Sequence, residues 1–350
     1  MSLSIPKEHR AAVCEGPGKG LVIKTVPTPT PSDEQVLIKV SASSICFSDH
    51  YPVSGLWPSV PYPLVPGHEV VGRIVAKGSR VTEDYNEGAL VGLGWNGGYC
   101  GQCSPCRSGE FYACEKGVVT GVTTDGGHQE YVIAHWSAVI DLPDDKNLGI
   151  SHAELAPLLC AGITVNDALK YGGIDPGETV IIQGIGGLGH LAIQLAAKSG
   201  YHVVAVSGGD SKRDLAFKLG AHDFYLAKDA EQVTKKYGGA KLAVATAPNT
   251  DSINGLLSLL ARNGKLVVVA VPADGKPIQA DPFQLVPQRR SIHGLTCGVA
   301  ADNESLVRFA CLGQQKVKAI VKMHPLDKAN EAFEQTIKES PLGRNVIVFE

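Results

Sequence analysis

The sequence has no stretch that approaches the roughly 18 to 20 uninterrupted apolar residues of a membrane-spanning helix, and its opening segment MSLSIPKEHRAAVC carries no long apolar run. A cytosolic protein is expected. It also lacks a basic block and any aromatic stripe set among lysines, and its formal net charge is -3, so nucleic acid has no electrostatic footprint to bind. No internal repeat or low-complexity segment breaks the chain. Nor does a chain of 350 residues, 44% hydrophobic and 19% charged, need disulfide staples: it is long enough for about two domains with full cores.

What is there begins with nine cysteines, four of them in YCGQCSPCRSGEFYAC. Cys100, Cys103, Cys106 and Cys114 follow the pattern C-x2-C-x2-C-x7-C among Gly, Ser and Pro. In a reducing compartment, clustered thiols hold a metal or do redox chemistry more often than they pair. Four thiolates around zinc make a closed tetrahedral site with no open position, so these four are expected to pin a loop, against the alternative of uncommitted loop thiols.

Two textures divide the chain. Up to about residue 150, short runs such as LVIKTV (Leu21 to Val26) and QVLIKVS (Gln35 to Ser41) are broken by Pro and Gly, which predicts half-buried strands and long loops. Beyond Pro157, TVIIQG, HVVAVS, DFYLA, KLAVAT, KLVVVA and SIHGL recur with helix-like stretches between them, for example LGHLAIQLAAKSG. Strands alternating with helices predict a parallel sheet of right-handed crossovers. The tail returns to mixed texture, with a helix expected near Asp327 to Lys338 and a last strand in NVIVF.

Gly184, Gly186 and Gly189 stand in G-x-G-x-x-G spacing, with Gly187 between them, directly after a strand and opening a helix. Glycines there permit a tight turn and close approach of the backbone to a pyrophosphate at the helix N-terminus. Elsewhere SICFSDHYPVSGLWP, VPGHEVVGRIVAKGSRV and LLCAGIT each offer one ligand: Cys46, His68 and Cys160. Two thiolates and an imidazole suit a three-ligand catalytic zinc with a fourth position for substrate. Spacing alone does not join residues so far apart. A buried Cys160 and a hydrogen-bonded loop His68 are the plain alternatives.

The chain resembles the zinc-dependent medium-chain alcohol dehydrogenases, closest to yeast and bacterial types, from about residue 10 to its end. GHEVVGRIVAKGSRV fits the signature G-H-E-x2-G-x5-G-x2-V through Gly67, His68, Glu69, Gly72, Gly78 and Val81. The four-cysteine loop and APLLCAGITV fit as well. The resemblance implies an α/β protein: a Rossmann doubly wound parallel sheet at 157–290, and a mainly β, GroES-like zinc-binding catalytic domain at 1–156 and 291–350, with the active site in the cleft between them. It further implies that Cys46, His68 and Cys160 hold the catalytic zinc, with Glu69 close by as an occasional ligand, and that the four-cysteine loop holds a second zinc per subunit. Asp49 would accept a hydrogen bond from His68, Ser48 would pass on the alcohol proton, Trp57 and Trp95 would line the substrate pocket, and Arg344 would contact a cofactor phosphate. By its length the chain is similar to the tetrameric microbial members, with a dimer as the alternative.

Three positions depart from the family. Tyr51 stands where many members carry the relay histidine, with His50 one place before it. Gly88, Ala89, Leu90 and Val91 replace a pattern with a polar anchor, and Phe47 replaces a basic pyrophosphate contact. For the cofactor, an acid about 20 residues past the glycines normally binds the ribose of NAD. Ser207 holds that place, followed by Lys212 and Arg213, so NADP(H) is expected over NAD(H), unless Asp210 bends back to serve the ribose. The expected activity is interconversion of a primary or secondary alcohol and its aldehyde or ketone, NADPH-driven reduction being the favoured direction. A zinc-independent quinone or enoyl reductase of the same superfamily, or a non-enzymatic relative of the fold, are the alternatives that the six ligand cysteines oppose.

Overall fold

The computed structural model describes residues 5–83, 85–272, 275–311, 316–339 and 342–349. The chain forms two compact units, Met1–Cys160 with Cys297–Glu350, and Ala161–Thr296. These boundaries lie a few residues beyond the expected 156 and 290.

The first unit is built on a mostly antiparallel seven-stranded sheet. Its path runs Val321–Pro325, Arg344–Val348, Gln35–Ser44, Val70–Lys77, Leu90–Leu93, Val139–Asp141, and Tyr131–His135 also pairs with Gln35–Ser44. Val36, Ile38 and Val40 are buried while Gln35, Lys39 and Ser41 on the other face are only half-buried, the partial alternation of a strand with one face in a core. Val36, Ile38, Val70, Ile74, Val91, Leu93 and Val132 form that core. Leu90 and Val91, in the segment that departs from the family pattern, are thus core residues, and Arg73 Nη1 donates to the Gly88 carbonyl at 2.7 Å. The C-terminal strand Arg344–Val348 lies antiparallel to Gln35–Ser44 in the register Val346 to Ser44, which carries Arg344 to the end of the strand that precedes Cys46. The expected helix near Asp327 runs Ala329–Glu339 after a 3-10 turn at Leu326–Lys328.

The second unit is a six-stranded parallel sheet in the order Asp223–Leu226, His202–Ser207, Thr179–Gln183, Ala240–Ala245, Leu260–Val268, Ser291–Gly294. Counted along the chain this is 3-2-1-4-5-6. The order reverses at Thr179–Gln183, and ligands of such sheets bind at the carboxyl ends of the strands around that switch point. Its central strands carry continuous apolar runs, as expected of strands covered on both faces: Ile181, Val204, Ala243 and Leu266 are all fully buried.

Candidate active site

The four-cysteine loop folds on itself. Gly101 takes φ +69°, Ser104–Arg107 forms a short helix turn, and Phe111–Ala113 turns the chain back so that Cys114 faces Cys100. The sulfurs of Cys100, Cys103, Cys106 and Cys114 lie within 4.8 Å of one another; Cys114 Sγ is 3.6 Å from Cys100 Sγ and 3.8 Å from Cys103 Sγ. A tetrahedron with metal–sulfur bonds of about 2.3 Å has edges of about 3.8 Å, so the loop is already spaced for a tetrahedral metal. Backbone N–H groups of Gln102 and Cys103 pull the Cys100 thiol down to about 6, whereas burial, with Cys103 beside it, pushes Cys106 up to about 12. Among the described residues no cysteine forms a disulfide.

The second cluster gathers residues far apart in sequence. Cys46 follows the strand Gln35–Ser44, His68 and Glu69 precede the strand Val70–Lys77 beside it, and Cys160 ends the 3-10 turn Ala156–Leu159. One ligand atom from each of Cys46, His68, Glu69 and Cys160 falls within a 4.8 Å group, and all four residues are buried. His68 Nδ1 stands 2.9 Å from Asp49 Oδ1, close enough for the carboxylate to hold the ring proton on Nδ1, and Nε2, buried and without a hydrogen-bond partner, is left with its lone pair available. Asp49 Oδ2 accepts the Cys46 N–H at 2.8 Å. Burial would raise the Asp49 carboxyl, but His68 and His128 beside it outweigh this and hold it far below the usual carboxylate range. Buried soft ligands, an orphaned imidazole nitrogen and a fixed tautomer fit a metal such as zinc.

Glu69 Oε1 accepts from Arg344 Nη2, while Oε2 has no partner. Burial pushes the Glu69 carboxyl up to about 7, against the pull of Arg344. Arg344 is 5% exposed and also reaches Ser44 Oγ at 3.5 Å, so in this structure its guanidinium is spent on the ligand network. Trp95 stands edge-on to His68, ring centres 4.8 Å apart at 89°, and Trp57 packs on Trp95 at 5.8 Å. Ser48 is half-buried in the 3-10 turn Phe47–Asp49, two residues past Cys46. His50 and Tyr51 open the following helix turn, where both pack with Phe47, and burial raises the Tyr51 phenol further above its ordinary value.

In the parallel-sheet unit, Gly184 follows the strand Thr179–Gln183 with φ +91°, and Gly189 opens the helix Gly189–Lys198. A Cβ on Gly189 would sit 1.9 Å from the Gly184 carbonyl oxygen, so the turn closes only without one. Gly186 and Gly187 lie between, and nothing within 4 Å would meet a Cβ on Gly186. Ser207 ends the next strand, its Oγ accepting from the Gly209 N–H at 3.5 Å. Arg213 is tied to Asp210, Nη2 to Oδ1 at 2.6 Å, with its guanidinium 4.4 Å over the Phe224 ring. Asp210 is therefore engaged by Arg213, and Lys212 makes no ion pair among the described residues.

Sequence reasoning missed three groups here: His128, whose Nε2 lies 3.6 Å from Asp49 Oδ2; Cys297, buried beside Cys160, whose thiol it pushes up; and the pairing of Arg344 with Glu69. The histidine follows Gly126 and Gly127, but no spacing rule links it to His68.

Residues 32–144 match the alcohol dehydrogenase GroES-like domain and residues 187–311 the zinc-binding dehydrogenase domain. The chain is 39% identical over 349 residues to the alcohol dehydrogenase patD of Penicillium expansum, covering 99% of each chain. To an alcohol dehydrogenase of Geobacillus stearothermophilus it is 39% identical over 342 residues, with 97% of this chain and 99% of that one covered. The structure of a cinnamyl alcohol dehydrogenase from Sorghum bicolor superimposes with a TM-score of 0.87 at 29% identity over 98% of both chains. With both domain types present, in this order, on a mainly β unit and a doubly wound sheet, the chain belongs to the medium-chain alcohol dehydrogenase family, enzymes of alcohol and carbonyl oxidoreduction.

Proposed function

We propose that the protein is a zinc-dependent, NADP(H)-preferring alcohol dehydrogenase that works chiefly as a reductase of aldehydes or ketones. The observation that carries this is the buried Cys46, His68, Cys160 group with its orphaned imidazole nitrogen. Zinc bound there supplies Lewis-acid polarisation of the substrate oxygen, and the nicotinamide carries the hydride. The protein's part is placement. Cys46, His68 and Cys160 hold the metal and leave a fourth position for substrate, while Glu69, held by Arg344, stands ready as an alternative oxygen ligand. Asp49 keeps His68 in the tautomer that presents Nε2. Ser48 takes the alcohol proton in oxidation and returns it in reduction, handing it outward through His50 or solvent, because the half-buried Tyr51 phenol, raised above its ordinary value, is a poor shuttle near neutral pH. Trp57 and Trp95 form the apolar wall that orients the substrate carbon and excludes water.

The four-cysteine loop takes the second zinc, which is structural because no ligand position stays open. Gly184, Gly186, Gly187 and Gly189 cradle the pyrophosphate at the head of the helix Gly189–Lys198. The uncharged Ser207 and the uncommitted Lys212 favour a 2′-phosphate, with Arg213 braced by Asp210 beside them. Residues 1–156 with 291–350 act as the catalytic domain, residues 157–290 as the dinucleotide domain, and the working form is a cytoplasmic homotetramer. The test is a panel of alcohols and aldehydes assayed with both cofactors in wild type and in Ser207→Asp. Higher kcat/KM with NADPH, reversed toward NADH by the substitution, is expected; a native preference for NADH, or an unchanged ratio, overturns the cofactor assignment.

A further inference from the structure

The network behind the metal ligands does not end at Asp49. His128 is fully buried. Its Nδ1 lies 2.8 Å from Ser43 Oγ, and its Nε2 lies 3.6 Å from Asp49 Oδ2 and has no hydrogen-bond partner. If Ser43 donates its hydroxyl proton to Nδ1, the ring proton must sit on Nε2, and the acceptor in front of it is Asp49 Oδ2. At 3.6 Å the contact is longer than a formed hydrogen bond, so it acts as a charge–dipole attraction across a dry site, where such attraction is poorly screened. The same oxygen accepts the Cys46 N–H at 2.8 Å, and the other carboxylate oxygen faces His68 Nδ1 at 2.9 Å. Asp49 is thus held from three sides, and rotation that released Oδ1 from His68 would also break away from Cys46 and His128. The backbone makes room for this ring: Gly67, next to His68, has φ +103°, and a Cβ there would stand 2.5 Å from His128 Nδ1.

We propose that His128 is a positioning residue of the Cys46, His68, Cys160 site: locked at Nδ1 by Ser43, it points Nε2–H at Asp49 and so fixes the carboxylate that orients His68. The inference rests on the reading of those three residues as metal ligands. Groups that act through a ligand in this way typically change metal affinity about 10- to 100-fold when removed. Because His128 acts one step further out, the lower end is expected.

The experiment compares metal-stripped wild type, His128→Phe, His128→Gln and Ser43→Ala, titrated with zinc against a chromophoric chelator and with Co²⁺ read by its d–d bands. Wild type should show two sites, since two thiolates with an imidazole and four thiolates give different cobalt spectra. His128→Phe keeps the ring but loses both nitrogens. It should bind zinc about tenfold more weakly at the Cys46, His68, Cys160 site, with a shifted cobalt band, while the four-cysteine site keeps its affinity and reports that the chain is folded. His128→Gln, which restores an N–H, should recover part of the loss. Should the Phe variant not fold, Ser43→Ala must still weaken the same site alone, because the tautomer is no longer set. Affinities within twofold of wild type in His128→Phe, or in Ser43→Ala where only that variant folds, overturn the role of His128. Wild type holding zinc only in the four-cysteine loop overturns the ligand assignment itself, and the inference with it.

Discussion

At the scale of single residues, the two cysteine sites should respond in opposite ways to loss of one sulfur. Cys46→Ala removes a ligand from a site whose purpose is an open position, so turnover should be abolished with the fold retained. Cys103→Ala opens a closed site whose binding free energy is folding free energy, so the expected change is a lower melting temperature, measured by calorimetry, with turnover kept while the protein stays folded. The proton path offers a second contrast. Ser48→Ala should cost about a hundredfold in kcat, the usual scale of a lost proton-transfer group, while His50→Gln stays within a few-fold. Small and equal losses in the two variants would mean that water alone carries the proton. Legibility at this scale follows sequence distance. Cys100, Cys103, Cys106 and Cys114 announce themselves because their spacing fits one loop. Cys46, His68 and Cys160 are brought together by three separate elements, so only family resemblance could join them, and His128 had neither local spacing nor resemblance to mark it.

At the scale of elements, the turn between Thr179–Gln183 and Gly189–Lys198 is the tightest constraint in the second unit. Gly189→Ala places a methyl 1.9 Å from a backbone oxygen, so the turn must open and cofactor affinity should drop at least tenfold, read by fluorescence titration of the reduced dinucleotide. This element was legible because glycine spacing, a preceding apolar run and a following helix all point to one turn. The pairing of Arg344–Val348 with Gln35–Ser44 was not, since hydrogen bonding between strands some 300 positions apart leaves no local pattern. That pairing is what turns Arg344 toward Glu69. A further element test uses pH. Asp223, between adjacent strands and helix, would be raised by burial, but bonds from Lys236, Tyr237 and His202 hold it below its ordinary value. A depressed acid stabilises the fold fully above its unfolded value of about 3.9 and loses that contribution as pH falls through its folded value. Resistance of the wild type to urea should therefore fall on acidification below about pH 4, and Asp223→Asn should cost about 1 kcal/mol at pH 7 and much less in acid.

At the scale of the whole molecule, the sequence texture separated a broken, strand-and-loop region from a regular strand-and-helix region, and the two sheets correspond to those textures. The texture could not say that the tail completes the first sheet. Among the described residues no helix is long and apolar enough to cross a membrane. Assembly can be checked by sedimentation, where a tetramer is expected and a monomer at micromolar concentration would count against it. The central claim is that buried Cys46, His68 and Cys160 hold the zinc that acts on substrate, while the four-cysteine loop holds one that does not. Elemental analysis of freshly purified enzyme, with the same sample assayed for alcohol oxidation and aldehyde reduction, tests it most directly. Two zinc ions per chain in active wild type, and one per chain with no turnover in Cys46→Ala, is the result predicted; full activity in protein that contains no zinc would contradict the account.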